Sequence, residues 1–413
     1  MYTIISRGLI VALLLLPVQL TFAQNNTNSP YTRFGYGKLE DQGFSQSQAM
    51  GGIAYGLRSR TNMNPANPAS NSSIDSTSFI FEFGVSGLLS SFSSGSSSAS
   101  TFTSNLDYLA FQFPITKWMG MSVGLIPYSL VGYNFGFVDS TSLSVTQTQT
   151  FYGTGGVSQL YAGLAATAWK RLSFGVNMYY MFGGINHIRT LAVDADDITT
   201  YATSQTSNLY VNTVNFRYGI QYQEKIGKHA FCIGLVYDHK SKLNGELDLV
   251  TIGMDTLESV TNGEFDIPSL YGGGFTYTYD NRLTVGADYT LQEFAKARYF
   301  GKTDSLTNRH KISLGAEYIH NPNGLKYVDR MRFRFGVNYA NSYAKVGGVS
   351  ANTLAVTCGF GFPLRTTKTM LNVNFEYGNI GATMTSALLK EDYLKIGINL
   401  TLNEMWFVKP KIQ

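Results

Sequence analysis

Residues 331–339 read MRFRFGVNY, and the alternation within them frames the question of fold. Met331, Phe333, Phe335, Val337 and Tyr339 share one parity, and Arg332, Arg334, Gly336 and Asn338 share the other. Successive side chains of a strand point to opposite faces, so this stretch makes a strand with an apolar face and a face carrying two arginines. In a soluble sandwich the apolar face meets a core and the arginines meet water. In a transmembrane barrel the apolar face meets lipid and the arginines meet a polar lumen. One strand fits both.

The surrounding chain decides between them. A polar turn followed by a rising strand recurs as KWMGMSVGLIPYS from Lys117, KRLSFGVNMYYMFG from Lys170, GKHAFCIGLVYDHK from Gly227, DNRLTVGADYTLQ from Asp280, DRMRFRFGVNYAN from Asp329 and TKTMLNVNFEYGN from Thr367. A small or polar residue holds one register of these strands: Gly124, Gly175, Gly234, Gly286, Gly336 and Asn374. With the descending strands between them, the count comes to about fourteen, an even number of segments long enough to cross a bilayer at a tilt. Short turns near Lys117, Lys170, Lys225, Asn281, Pro322 and Thr366 alternate with generally longer connections, including residues 90–104, 182–202 and 241–265. Trp118 and Trp169 lie beside short turns and Trp406 follows the last strand, which places all three at one rim as an aromatic girdle.

Composition agrees. Charged residues are 14% of the 413-residue chain, against roughly 25% in soluble globular proteins, and aromatic residues also reach 14%. The net charge of +4 and the lack of a long basic run exclude a nucleic-acid partner. At the start, Arg7, the apolar run at residues 9–16 and Thr21-Phe22-Ala23 form a secretory signal peptide, 1–23, cleaved before Gln24. The apolar run is too short to span a membrane, and no later stretch is long enough for a transmembrane helix. The expected fold is therefore all-β: a transmembrane antiparallel β-barrel over residues 76–403 in the bacterial outer membrane, followed by a periplasmic tail, 404–413.

Residues 24–75 lack the strand pattern. They are rich in Gly, Pro, Asn and Ser, yet Phe34, Tyr36, Leu39, Phe44, Met50 and Tyr55 call for packing. A bore of this size offers the place, so the segment is expected to plug the lumen. Within it, AMGGIAYGLRSRTNMNPANPAS from Ala49 resembles the hatch of the long-chain fatty-acid transporter (FadL) family. The matching residues are Gly51, Gly52 and Asn64-Pro65-Ala66. SPYTRFGYGKLEDQG from Ser29 is similar to a divergent branch that includes the barrel subunit shuttling cargo in type IX secretion. The ending VKPKIQ departs from the terminal aromatic of the transporters. The resemblance implies passive uptake of hydrophobic, fatty-acid-like molecules past the hatch and out through a gap in the wall, which the family associates with a kink in the third strand.

The third strand is unusual in its own right. With Gly124 inward, Ile126, Tyr128 and Leu130 face the lumen and are expected to line an apolar ligand site. Pro127 has no N–H for a neighbouring strand, and Gly132 and Gly136 loosen the strand further. These three are expected to mark a lateral opening. A harmless bulge at the rim is the plain alternative.

Enzymatic signatures are missing: there is no GxSxG, HExxH or phosphate-binding loop, and the five histidines, mostly in turns or loops, show no metal-ligand spacing. No catalytic residue, metal or cofactor is expected. Arg217, Arg332, Arg334, Asp288, Glu376 and Lys395 are expected to face inward as a mutually paired network. In the sharper reading Arg332 or Arg334 meets a substrate carboxylate. Cys232 and Cys358 have opposite parities on non-neighbouring strands and are expected to stay unpaired. Partners are then outer-membrane lipid and hydrophobic small molecules. The competing function is a non-transporting barrel that anchors or shuttles secreted proteins.

Overall fold

The computed structural model describes residues 27–405 apart from 95–96, 143–144, 196–197, 244–246, 253–255, 262–264, 300, 302, 304–305, 347, 365–367 and 382–388. The expected signal peptide at 1–23, Trp406 and residues 407–413 of the expected tail thus lie outside the described residues, while residues 404 and 405 end the last strand.

Fourteen antiparallel strands form the wall: β1 (Ser78–Ser94), β2 (Ser97–Pro114), β3 (Met119–Ser142), β4 (Val145–Ala168), β5 (Leu172–Ala195), β6 (Ile198–Ile226), β7 (His229–Asp238), β8 (Leu270–Tyr279), β9 (Leu283–Gln292), β10 (Arg309–Ile319), β11 (Arg332–Ala340), β12 (Thr353–Pro363), β13 (Met370–Ile380) and β14 (Lys390–Met405). Each pairs with its sequence neighbours, and β14 closes on β1 from Ser78↔Met405 to Ser93↔Lys390. Closure gives the backbone groups of the wall partners without water, which is the condition for strands in hydrocarbon. The parity of residues 331–339 resolves accordingly. Phe333, Phe335 and Tyr339 are exposed on the outer face, while Arg334 and Asn338 are buried inside.

Three length expectations change, the third at 241–265, where residues 247–252 pair with 256–261 and with β6. Residues 90–104 and 182–202 are not open loops: β1 and β2 stay paired to Ser94↔Ser97, and β5 and β6 to Ala195↔Ile198. Above the bilayer a ladder meets water on both faces, so it needs no apolar period, and its Ser- and Thr-rich sequence reads like a loop. Strands β3 to β5 are 24 residues long and β6 is 29, against 10 in β7 to β9. At the other end the turns are tight. Trp169-Lys170 and Asp280-Asn281 occupy the left-handed region that suits two-residue hairpins. Trp118 and Trp169 project there, 54% and 82% exposed. Short turns mark the periplasmic end of such barrels.

The wall ladder is discontinuous between β2 and β3. Pairing between β2 and β3 covers only Leu109↔Leu125 to Pro114↔Gly120 and stops there. Beyond it β2 stays with β1 and β3 with β4. Inside the barrel, the two-residue strand Lys38–Leu39 takes up the released edge of β3, with Lys38↔Leu130 and Leu39↔Ser129 in register.

The rest of the N-terminal segment follows the inner wall as a belt, and the small-residue register of the strands is its track. A Cβ at Gly336 would strike Gly51, at Gly286 it would lie 2.8 Å from Ile53 Cδ1, at Gly234 it would strike the Tyr55 carbonyl, and at Gly175 it would strike Pro68. The belt thus passes β11, β9, β7 and β5 in turn. Side-chain atoms at this level would push its backbone off the wall. At the fifth position Asn374 Nδ2 donates to the Ser45 carbonyl at 3.1 Å. Gly124 is different: the atoms nearest a Cβ there belong to the wall residues Leu109, Ala110 and Tyr161.

Candidate functional site: the wall break and the lumen beside it

The site forms where β3 leaves β2. Ile126 is the first residue past the last paired one, and it is buried in the apolar cluster of the lumen with Val131, Tyr133 and Phe151. Pro127 follows it and cannot donate a hydrogen bond to β2. At Tyr128 the ladder with β4 slips, Pro127 facing Ser158 and Ser129 facing Val157. This bulge corrects the expected placement of Leu130. The extra residue reverses parity, so Ser129 and Val131 are fully buried and Leu130 is only half-buried. Tyr128 is half-buried against the apolar cluster.

Gly132 and Gly136 keep their places in the β3–β4 ladder, opposite Thr154 and Thr150. They do not break that ladder; the break lies on the β2 side, below them. Thr32 Oγ1 accepts from the Gly132 N–H at 3.1 Å and donates to the Gly132 carbonyl at 3.0 Å, so the N-terminal segment covers the free edge here too. The β2 side of the gap is marked by Tyr108, whose ring stacks on Phe44 with centroids 3.8 Å apart and whose hydroxyl donates to Asn399 Oδ1 at 2.8 Å.

Two adjoining cavities of about 70 and 160 Å³ lie beside the Lys38–Leu39 strand. Leu39, Glu40, Asp41, Arg309 and Lys311 line both, Tyr128 the first, Tyr343 and Tyr393 the second. Their walls are amphipathic. Asp41 pairs with Lys311, and Glu40 lies 3.8 Å from Lys395, which holds Asp107 at 3.2 Å. Burial would raise the Asp41 carboxyl, but Lys311, with Arg309 and Lys395 beyond it, outweighs that and holds it below the ordinary carboxylate range. An aromatic roof covers the segment from above: Tyr343 and Tyr299 donate to the carbonyls of Gly37 and Gly35 at 2.5 and 2.8 Å.

Arg332 and Arg334 belong elsewhere. The Arg334 side chain is fully buried, donating to Glu317 at 2.6 Å and to Asn372 at 2.7 Å, while Arg332 lies 3.6 Å from Glu317. Glu317 also accepts from Gln46 at 3.3 Å. The pair therefore braces the N-terminal segment and neither lines the two cavities, which corrects the expected carboxylate site: both arginines are turned to the shared carboxylate of Glu317. Arg217 likewise pairs with Asp238 at 2.6 Å, and Asp288 accepts the N–H groups of Ala54 and Tyr55 at 2.5 and 2.7 Å.

The motif residues of the segment hold the belt. Gly51 and Gly52 take φ values of 68° and 83°, open to glycine at no steric cost, and the Gly51 N–H donates to Thr357 Oγ1 at 2.8 Å. Asn64 Nδ2 ties the carbonyls of Ala54 and Leu57, at 2.6 and 3.0 Å. The Pro65 carbonyl accepts from Asn177 at 2.8 Å, and the Ala66 carbonyl from Arg217 at 3.4 Å.

The histidines are more ordered than their sequence positions imply. His187, His229 and His310 lie in strands, and each of the five hydrogen-bonds a tyrosine hydroxyl at 2.6 to 3.2 Å. Cys232 and Cys358 are both free. Among the described residues no group of three or more His, Cys, Asp or Glu is placed to hold a metal ion. Lys38, Glu40, Asp41, Arg309 and Lys311 escaped the sequence reading. The one available signal was a charged KLED run inside an otherwise weakly charged segment.

The family model described as BamG matches residues 5–413. No curated protein matches the sequence. Among solved structures, the Pseudomonas putida toluene transporter TodX aligns with a TM-score of 0.59 and 15% identity, over 90% of this chain and 100% of that one. The CymD monoaromatic hydrocarbon channel gives 0.57 and 15%, over 91% and 99%. A Pseudomonas aeruginosa FadL homologue gives 0.54 and 12%, over 89% and 98%. At these identities the shared property is the fold, a FadL-like outer-membrane barrel.

Proposed function

The chain belongs to the BamG family, and from that premise we propose that this member passes hydrophobic or amphipathic small molecules, fatty-acid-like in kind, through the outer membrane by passive diffusion. The belt closes the bore to straight passage, and the molecule leaves sideways between β2 and β3 into the bilayer. The observation that carries this reading is the end of the β2–β3 ladder at Leu109↔Leu125, level with the apolar residues Ile126 and Tyr128. An unpaired wall is costly in hydrocarbon and persists where protein covers the freed groups. Here the cover is a two-residue strand, small enough to be displaced without unfolding the barrel. The amphipathic cavities beside it would receive a polar head while the tail meets the aromatic side chains.

The solved neighbours, a monoaromatic hydrocarbon channel and a toluene transporter, support apolar cargo for this fold. A second reading, a barrel that anchors or shuttles secreted proteins, draws on Phe102, Phe137 and Val138, which stand exposed on β2 and β3 beyond the break. A disulfide lock separates the two. Leu39 and Ser129 are cross-strand partners, at a spacing a disulfide can bridge. In a background lacking Cys232 and Cys358, Leu39→Cys/Ser129→Cys is expected to stop release of a fluorescent fatty acid into liposomes until reductant is added. Tyr128→Arg is expected to weaken its binding about tenfold or more, as an unpaired charge on an apolar wall. Equal flux in locked and reduced protein would remove the transport reading and leave the second.

A further inference from the structure

The periplasmic mouth of the barrel has a charge pattern that passage of apolar molecules does not use. Each of the six short turns carries a cation: Lys117, Lys170, Lys228, Arg282, Arg330 and Lys368. Within this ring opens a hollow of about 510 Å³. Arg58 and Arg60 of the N-terminal segment line it together with Lys117 and Lys170, and hydroxyls of Ser59, Ser72, Ser73 and Thr167 fill the space between. The one carboxylate in its wall, Asp75, is shared by Arg60 at 3.7 Å and Lys368 at 3.3 Å. Arg58 is spent on the Ala69 carbonyl, Gln221, Ser72 and Thr167. Among the described residues, Lys117 and Lys170 have no carboxylate within ion-pair distance, and the Arg60 side chain is 77% exposed.

We propose that this mouth is a docking site for an acidic, extended polypeptide segment of a periplasmic partner. Three cations converge on one hollow with a single shared counter-ion, which suits carboxylates spaced along a chain. Lipid headgroups would meet the ring from outside. The hollow lies within it, bounded by the N-terminal segment and by Thr167 and Gln223 on the lumen side of β4 and β6. A peptide end or loop can enter there, while a bilayer leaflet stays at the level of Trp169.

The test uses the full mature chain in zwitterionic detergent and a fluorescein-labelled peptide of alternating Glu and Ser, read by anisotropy at two salt concentrations. Binding is expected to weaken with salt. It is expected to fall about tenfold in Arg60→Glu/Lys117→Glu/Lys170→Asn, since rim charges act mainly through encounter and complementarity. Asn suits position 170 because Lys170 has a φ of 62°. Lys228→Glu/Arg282→Glu, on turns away from the hollow, is expected to leave binding unchanged. Heat-modifiable gel mobility confirms folding of each variant. If the triple variant fails that check, Lys117→Glu alone carries the test with about a twofold loss. No binding, equal losses in both variants, or binding only to nanodiscs containing anionic lipid would overturn the proposal.

Discussion

Residues 49–71 and residues 38–41 belong to one N-terminal segment, yet the barrel holds them by different means. The belt at 49–71 is seated by shape and by buried hydrogen bonds. Glycines of alternate strands admit its backbone, and Thr357, Asp288, Gln221 and Asn177 each bond a backbone group within it. The stretch at 38–41 holds the wall through two residues of strand pairing, the Glu40 N–H donating to the Tyr128 carbonyl at 3.0 Å, and ion pairs that face a cavity. Removing any belt contact leaves a buried polar group or a clash. Removing the short strand frees groups that the lumen can hydrate. One segment is therefore held by dense buried contacts at 49–71 and by a short strand and ion pairs at 38–41.

The comparison breaks first at its hinge. Arg334→Met leaves Glu317 buried beside Gln46 without its main counter-ion, and is expected to cost about 3–5 kcal/mol, read as a lower urea midpoint of the folded barrel. Next comes the track. Gly234→Leu drives a side chain into the Tyr55 carbonyl and is expected to cost about 1–3 kcal/mol and to raise ion conductance in planar bilayers as the belt lifts. Outward Gly273→Ala, whose methyl would lie 3.4 Å from Leu235, is expected to match the parent protein.

The cover strand should respond more mildly. Glu40→Pro removes the donor to Tyr128 and the contact with Lys395, costs about 1 kcal/mol locally, and should speed fatty-acid release while leaving the unfolding midpoint in place. The smallest effect is that of acid. Asp41 has a folded pKa below its unfolded value, so its ion pair contributes stability above the unfolded pKa and loses it as pH falls through the folded one. Amide exchange at residues 38–41 is expected to quicken only below about pH 4, with that of the belt unchanged. Equal loosening of both stretches would erase the distinction.

Much of the fold was legible because a barrel writes period two into every strand. The parity of Phe335 against Arg334 fixed inside and outside, and the strand count followed from the spacing of turns such as Lys170 and Asn281. The glycine register at Gly175, Gly234, Gly286 and Gly336 was visible as well, but its meaning was not. A small residue in a strand signals a close approach without naming what approaches. The candidate site was less legible. Pro127 pointed to the right place, yet the bulge at Tyr128 moved Leu130 off the lumen-facing parity, since one inserted residue reverses every later face. Arg332 and Arg334 looked available for a ligand because sequence cannot show that both turn to Glu317 on the neighbouring strand, away from the cavities.

The sequence by itself determined the barrel, its even strand number, its lipid-facing side and the end where the short turns lie, because alternation and turn chemistry are local properties of the chain. Tertiary structure alone decided where the β2–β3 ladder ends, which residues pair with the freed edge and which cations gather at the short-turn end. Those depend on pairing between segments far apart in sequence, such as Leu39 with Ser129 and Asp75 with Lys368, and no local pattern encodes a partner.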